Sequence, residues 1–171
     1  MSNKKVFCRF NNCQMHKGFY NEGEPNNALS KIYYEHYFEY PEDEEFPYDT
    51  ARTLLCGSCH LFALALKEIL GYTPYVIEGN NKKGFHAFCQ VYKDRRWYYI
   101  DARGITSSFD EFLYGIRTFV SDEYTIRILE DKDIEKWKTE NNEYNDDYEE
   151  KGFLFARAVI DNYKECYILN D

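Results

Sequence analysis

A chain of 171 residues is long enough to bury one sizeable core and hardly long enough for two, so a single domain is expected over residues 1–171. Its formal net charge of −9 argues against a general nucleic-acid or membrane-surface binder, because both partners present anionic surfaces, and it leaves room for a basic partner or substrate. The N-terminal Met-Ser-Asn-Lys-Lys lacks a signal-peptide pattern and no apolar run approaches a membrane span, which predicts a cytoplasmic protein unless it is exported, as an effector, by a signal-independent route.

Six cysteines in such a chain are expected to be reduced, and seventeen tyrosines imply half-buried rings with wet hydroxyls, a composition suited to a binding surface. An N-terminal arm and helix are expected over residues 1–48. Val6-Phe7-Cys8-Arg9-Phe10 reads as a short strand, and Cys8, Cys13 and His16 have loosely metal-like spacing. Their only clear complement is the pair Cys56 and Cys59, so ordinary thiols are preferred to a zinc site and no metal or cofactor is expected. Residues 26–40 read as a helix capped by Asn27, with Leu29, Ile32, Tyr33, His36, Tyr37 and Tyr40 near one face and His36 as a packing residue. The acidic run from Pro41 to Pro47 cannot continue that helix and serves as a solvated connector.

The stretch Cys56-Gly57-Ser58-Cys59-His60 opens the element that organises the chain. Of the eleven residues from His60 to Leu70, eight are apolar and lie almost all round a helix, which places residues 58–70 in the middle of a core. Gly71 stands where a left-handed C-terminal cap is expected. Cys59 falls in the first turn, where unpaired N–H groups and the helix dipole favour a thiolate; the competing reading is a buried, inert thiol.

Residues 72–78, 85–92 and 96–102 read as strands, with Pro74 tolerated near a strand start, a loop over 79–84 and a turn around Lys93-Asp94-Arg95. Together they predict an α+β fold, an antiparallel meander packed against the central helix. Beyond residue 110 a C-terminal extension is expected: Ser108 capping a short helix over 110–114, a strand over 124–129, and an acidic helix start at Asp131. The polar run 138–150 reads as solvated loop or local disorder. A last helix over 153–163 puts Phe155, Ala158, Val159 and Asn162 near one face.

Three residues then carry chemistry together: Cys59 at a helix start, His86 near the start of one strand and Asp101 near the end of the next. Nucleophile, base and orienter are the roles that thiol-based acyl transfer needs, with a thiolate–imidazolium pair as the expected reactive form. Strand alternation makes the hairpin between them decisive. A four-residue turn sets His86 directly opposite Asp101, a two-residue turn at Asp94-Arg95 keeps them diagonal on one face, and a three-residue turn separates them onto opposite faces unless a bulge intervenes.

The motifs from Gly57 to Leu66, from Gly84 to Phe88 (Gly-Phe-His-Ala-Phe) and from Trp97 to Gly104 (Trp-Tyr-Tyr-Ile-Asp-Ala-Arg-Gly) resemble the core of transglutaminase-like cysteine hydrolases, within the wider papain-like superfamily. The resemblance spans roughly residues 50–110. It implies a papain/transglutaminase-like core and a catalytic triad of Cys59 as nucleophile, His86 as base and acid, and Asp101 as orienter. The activity implied is that of a thiol protease or other thiol-dependent hydrolase or acyltransferase, acting on amide or isopeptide bonds of a protein or peptide. No Gln stands just before Cys59, so the Cys59 backbone N–H is the one oxyanion donor to name.

Other readings compete. Cys56-Gly-Ser-Cys59-His60 has the pattern of c-type haem attachment, and the same two cysteines have the spacing of a redox pair. His86 could be a satisfied core histidine, and Asp101-Ala102-Arg103-Gly104 a strand-ending turn with an Asp–Arg pair. An acidic, Tyr-rich protein of this fold could also act as a non-enzymatic binder or inhibitor.

Overall fold

The spacing of Gly and paired polar residues between apolar, β-branched and aromatic runs divides the middle of the chain into short antiparallel strands. The computed structural model describes residues 16–18, 51–55, 57–80, 84–114, 116–117, 120, 123–141 and 144–169. The expected strand at 6–10, helix at 26–40 and acidic connector, with Cys8, Cys13, His36 and Cys56, lie outside the described residues.

The strands are β1 (His16–Gly18), β2 (Thr73–Gly79), β3 (Phe85–Lys93), β4 (Arg96–Asp101), β5 (Gly104–Thr106) and β6 (Tyr124–Ile128). They form a six-stranded sheet in the order β1-β5-β4-β3-β2-β6, antiparallel at every pairing. The fold is therefore α+β, as expected. The short strand β5, absent from the sequence reading, forms because the chain reverses at Ala102-Arg103 and sets Gly104 against Asp101. Pro74 is accommodated because it pairs with Cys89 at a position whose backbone points away from β3, and its carbonyl accepts from Leu129 N at 3.0 Å.

Helix α1 (Cys59–Leu70) ends at Gly71, whose φ of 72° is the left-handed cap that only glycine adopts without strain. All five residues from Cys59 to Ala63 are buried, so this half of the helix is enclosed on every side. Cys89 Sγ donates to the Ala63 carbonyl at 3.3 Å, which puts α1 on the sheet face that carries Cys89. The neighbouring residue Phe88 points the other way and meets Phe112 at 4.6 Å between ring centroids, so helix α2 (Phe109–Tyr114) covers the opposite face. Each large side chain enclosed in these layers, such as Leu61, Phe62 or Leu66, contributes about 1.5–3 kcal/mol through its burial.

Two helices follow β6: α3 (Asp131–Glu140) and α4 (Asp146–Asn162), the second packed on α1 from the side away from the sheet. The polar stretch expected to be loop up to Glu150 instead opens α4 seven residues earlier than residue 153. Asn145 caps it by accepting from Tyr148 N at 2.8 Å, and Asp146, Asp147 and Glu149 complement the helix dipole in its first turn. Its buried face is Gly152, Phe155, Ala156, Val159 and Ile160, so Ala158 and Asn162 turn away from the core, contrary to the sequence reading. Phe155, Ala156, Val159 and Ile160 continue the i, i+3, i+4, i+7, i+8 spacing that starts at Gly152. Among the described residues no helix is long and apolar enough to cross a membrane.

The β3–β4 hairpin turns on Asp94 and Arg95, with φ of 50° and 64°. Both are in the left-handed region required by a two-residue type I′ turn, which Asp accepts at the first position and which strains Arg at the second. Replacing them by the preferred residues, Asp94→Asn with Arg95→Gly, is expected to raise stability by about 1 kcal/mol. The midpoint of urea unfolding should rise with an unchanged slope; a lower midpoint would contradict the turn.

Candidate active site

The register of the β3–β4 hairpin decides which sequence-predicted residues can meet. Lys93 pairs with Arg96 and Cys89 with Ile100, so the two-residue turn places His86 and Asp101 diagonally on one face. His86 Nε2 lies 3.0 Å from Asp101 Oδ2, and both side chains are buried, 0% and 1% exposed. The rings of Phe88 and Phe112 flank the imidazole.

Cys59 belongs to the helix on the other side of the sheet, yet its sulfur reaches the sheet edge. Gly79 N donates to Gly84 O, and alternation from that rung turns the N–H groups of residues 85, 87 and 89 toward β4. Residue 102 would be the next partner for Ala87, but β4 ends at Asp101. The rung is split: Ala87 N donates to Cys59 Sγ at 3.3 Å, and the Ala102 carbonyl accepts from Tyr167 Oη at 3.0 Å. A strand N–H points in the plane of its sheet, so the thiol sits at the boundary between the two faces. It lies within about 6 Å of the His86 Cα, since one peptide bond joins that carbon's residue to the donor nitrogen.

Asp101 has a second strong partner. Its Oδ1 accepts from Arg103 N at 2.9 Å and Nε at 3.1 Å, and its Oδ2 accepts from Arg103 Nη2 at 2.7 Å. The strand-ending Asp–Arg turn, read from sequence as an alternative to a catalytic Asp101, therefore coexists with the His86 bond. Burial alone would raise the Asp101 carboxyl, but the Arg103 charge and the hydrogen bonds from His86 and Arg103 hold it well below the usual carboxylate range. Burial pushes His86 below its ordinary value, against the hydrogen bond and charge of Asp101, while Arg103 adds to the lowering. That direction favours a neutral imidazole and opposes the expected thiolate–imidazolium pair.

Sequence reasoning missed the residues that hold the start of α1. Ser58 Oγ is hydrogen-bonded to Tyr148 Oη. His60 Nε2 lies 2.9 Å from Tyr144 Oη, and its ring packs edge-on against Trp137, which stacks on Phe85 at 4.0 Å. Tyr144 and Tyr148 lie in the stretch read as loop; their four-residue spacing, one helical turn, was the available signal. Tyr167, fully buried against Phe62, carried no pattern at all. Among the described residues no group of three or more metal-ligating side chains gathers. Comparison with known proteins finds no matching family model, no similar curated protein and no similar solved structure.

Burial lowers His60 to about 4, and no described residue bonds its Nδ1. Since the unfolded chain binds a proton near pH 6.5 and the folded one only near 4, stability is full above 6.5 and declines as pH falls toward 4, by about 3 kcal/mol from this residue. His86, shifted in the same direction, adds to the decline. Urea unfolding across this range should show a shallower pH dependence in His60→Phe than in the wild type; equal slopes would remove His60 from the acid sensitivity.

Proposed function

We propose that the protein is a thiol-dependent hydrolase or acyltransferase with a papain/transglutaminase-like core, acting on amide or isopeptide bonds of a protein or peptide. The observation that carries the proposal is the His86–Asp101 hydrogen bond beside a strand edge whose Ala87 N–H is aimed at the Cys59 sulfur. A formal charge of −9 favours a basic substrate, and the proposed setting is the cytoplasm.

With Nε2 donating to Asp101, Nδ1 is the ring atom that exchanges a proton with the thiol. Cys59 gives its proton to Nδ1 as the sulfur attacks the carbonyl carbon, forming a C–S bond and a tetrahedral oxyanion. The imidazolium passes that proton to the leaving amine as the C–N bond breaks. Water or an acceptor amine then attacks the thioester, losing a proton to Nδ1, and the C–S bond breaks with return of the proton to sulfur. The Ala87 N–H stabilises negative charge on the sulfur at both ends of this cycle, and the Cys59 backbone N–H serves the oxyanion.

A second reading, a non-enzymatic binding protein on the same fold, draws support from the burial of Cys59, His86 and Asp101, at 3%, 0% and 1% exposed. Alkylation with iodoacetamide, followed site by site by mass spectrometry, separates the two. Cys59 should react at least about tenfold faster than Cys89, whose thiol burial pushes up, and than buried Cys166. His86→Gln should slow Cys59 by about a hundredfold and Asp101→Asn by less. Cys59→Ala should abolish labelling by an electrophilic peptide probe while Cys56→Ser retains it. A Cys59 rate no greater than that of the other thiols would leave the binding protein as the better account.

A further inference from the structure

We propose that Arg103 is a positioning residue of this site, acting on His86 through Asp101, an inference that rests on the hydrolase reading above. Arg103 is 4% exposed, and its backbone N–H, Nε and Nη2 all donate to Asp101, reaching both carboxylate oxygens. Its Nη2 also donates to the Phe112 carbonyl at 3.0 Å, and its guanidinium lies 5.6 Å from the centre of the Phe112 ring. The planar fork thereby fixes the carboxylate in the plane that points Oδ2 at His86 Nε2, a geometry that a lysine could not impose.

The same contacts set the charge balance around the imidazole. Oδ2 is shared between His86 Nε2 at 3.0 Å and Arg103 Nη2 at 2.7 Å, and the shorter bond goes to the permanent cation. Among the described residues the charged groups that act on His86 are Asp101 and Arg103; the Leu55 backbone hydrogen-bonds the ring and favours its charged form, and the other neighbours are the Phe88 and Phe112 rings and, on β2, its partner Ile77. An Asp facing His86 alone would favour imidazolium. Burial pushes the ring toward its neutral form, and Arg103, by matching part of the Asp101 charge, adds to that push, so that Asp101 orients the ring while it stays the proton acceptor that the first step of acyl transfer requires.

The test is a histidine titration by NMR on the full chain, whose four histidines include His86, identified by the resonance lost in His86→Gln. Removing the cation in Arg103→Gln should raise the His86 midpoint by about one pH unit or more, and Arg103→Lys, which keeps charge but loses the fork, should raise it by less. Asp101→Asn should move it the other way, downward. If Arg103→Gln does not fold, a rise in Arg103→Lys with a fall in Asp101→Asn supports the proposal. An unchanged or lowered midpoint in the folded arginine variants overturns it. The Cys59 alkylation rate, measured on the same samples, tests the hydrolase reading separately: a slow wild-type thiol with a shifted His86 midpoint would sink that reading while retaining the Arg103–Asp101–His86 coupling.

Discussion

One backbone rung, split in two, governs the arrangement of this molecule. Ala87 and residue 102 stand where the β3–β4 ladder would add its next hydrogen-bonded rung, two residues beyond the Cys89–Ile100 pair, and the chain instead reverses at Ala102-Arg103 to start β5. Buried backbone groups cannot be left unmade without a cost of about 1–3 kcal/mol each, so both halves of the rung find other partners. The donor takes the Cys59 sulfur and the acceptor takes the Tyr167 hydroxyl. The N-terminus of α1 and the C-terminal segment are thereby drawn to the same sheet edge. This is how a thiol on a helix covering one face comes beside a histidine that points to the other.

The His86–Asp101–Arg103 cluster illustrates competition between burial and charge. Enclosure penalises each ionised group, and an unpaired carboxylate at Asp101 would take up a proton. Arg103 prevents this with a bidentate contact, and the price is a weaker pull of the carboxylate on the imidazole. The outcome is a buried imidazole held against a permanently charged carboxylate–guanidinium pair, with burial and Arg103 pushing His86 below its ordinary value and Asp101 opposing them.

The C-terminal helices complete the enclosure. Tyr144, Tyr148 and Trp137 bind Ser58, His60 and Phe85, while Arg157 of α4 pairs with Glu68 of α1 at 2.7 Å. The exposed Arg157–Glu68 pair contributes little; the buried aromatic contacts at the first turn of α1 contribute more, because they exclude water from the residues that flank Cys59. The surroundings of Cys59 are thus bound up with residues far beyond the stretch that carries the Cys, His and Asp motifs.

By itself the sequence determined the local elements. Near-continuous apolar residues from His60 to Leu70 and the cap at Gly71 specified α1, and aromatic and β-branched runs specified β2, β3, β4 and β6, because these signals depend on neighbours within a turn or two. It also singled out Cys59, His86 and Asp101 as candidates by their order and setting. The sequence left the hairpin length open, since Arg95 stands where a two-residue type I′ turn prefers glycine. Only the tertiary structure settled the two-residue turn and hence the diagonal His86–Asp101 contact. It alone joined the Asp–Arg turn to the histidine, extended α4 back to Asp146 and brought Tyr167 to Ala102 across 65 residues. Those contacts are non-local, and a polar residue that is satisfied by a partner far along the chain leaves no periodicity from which to read it.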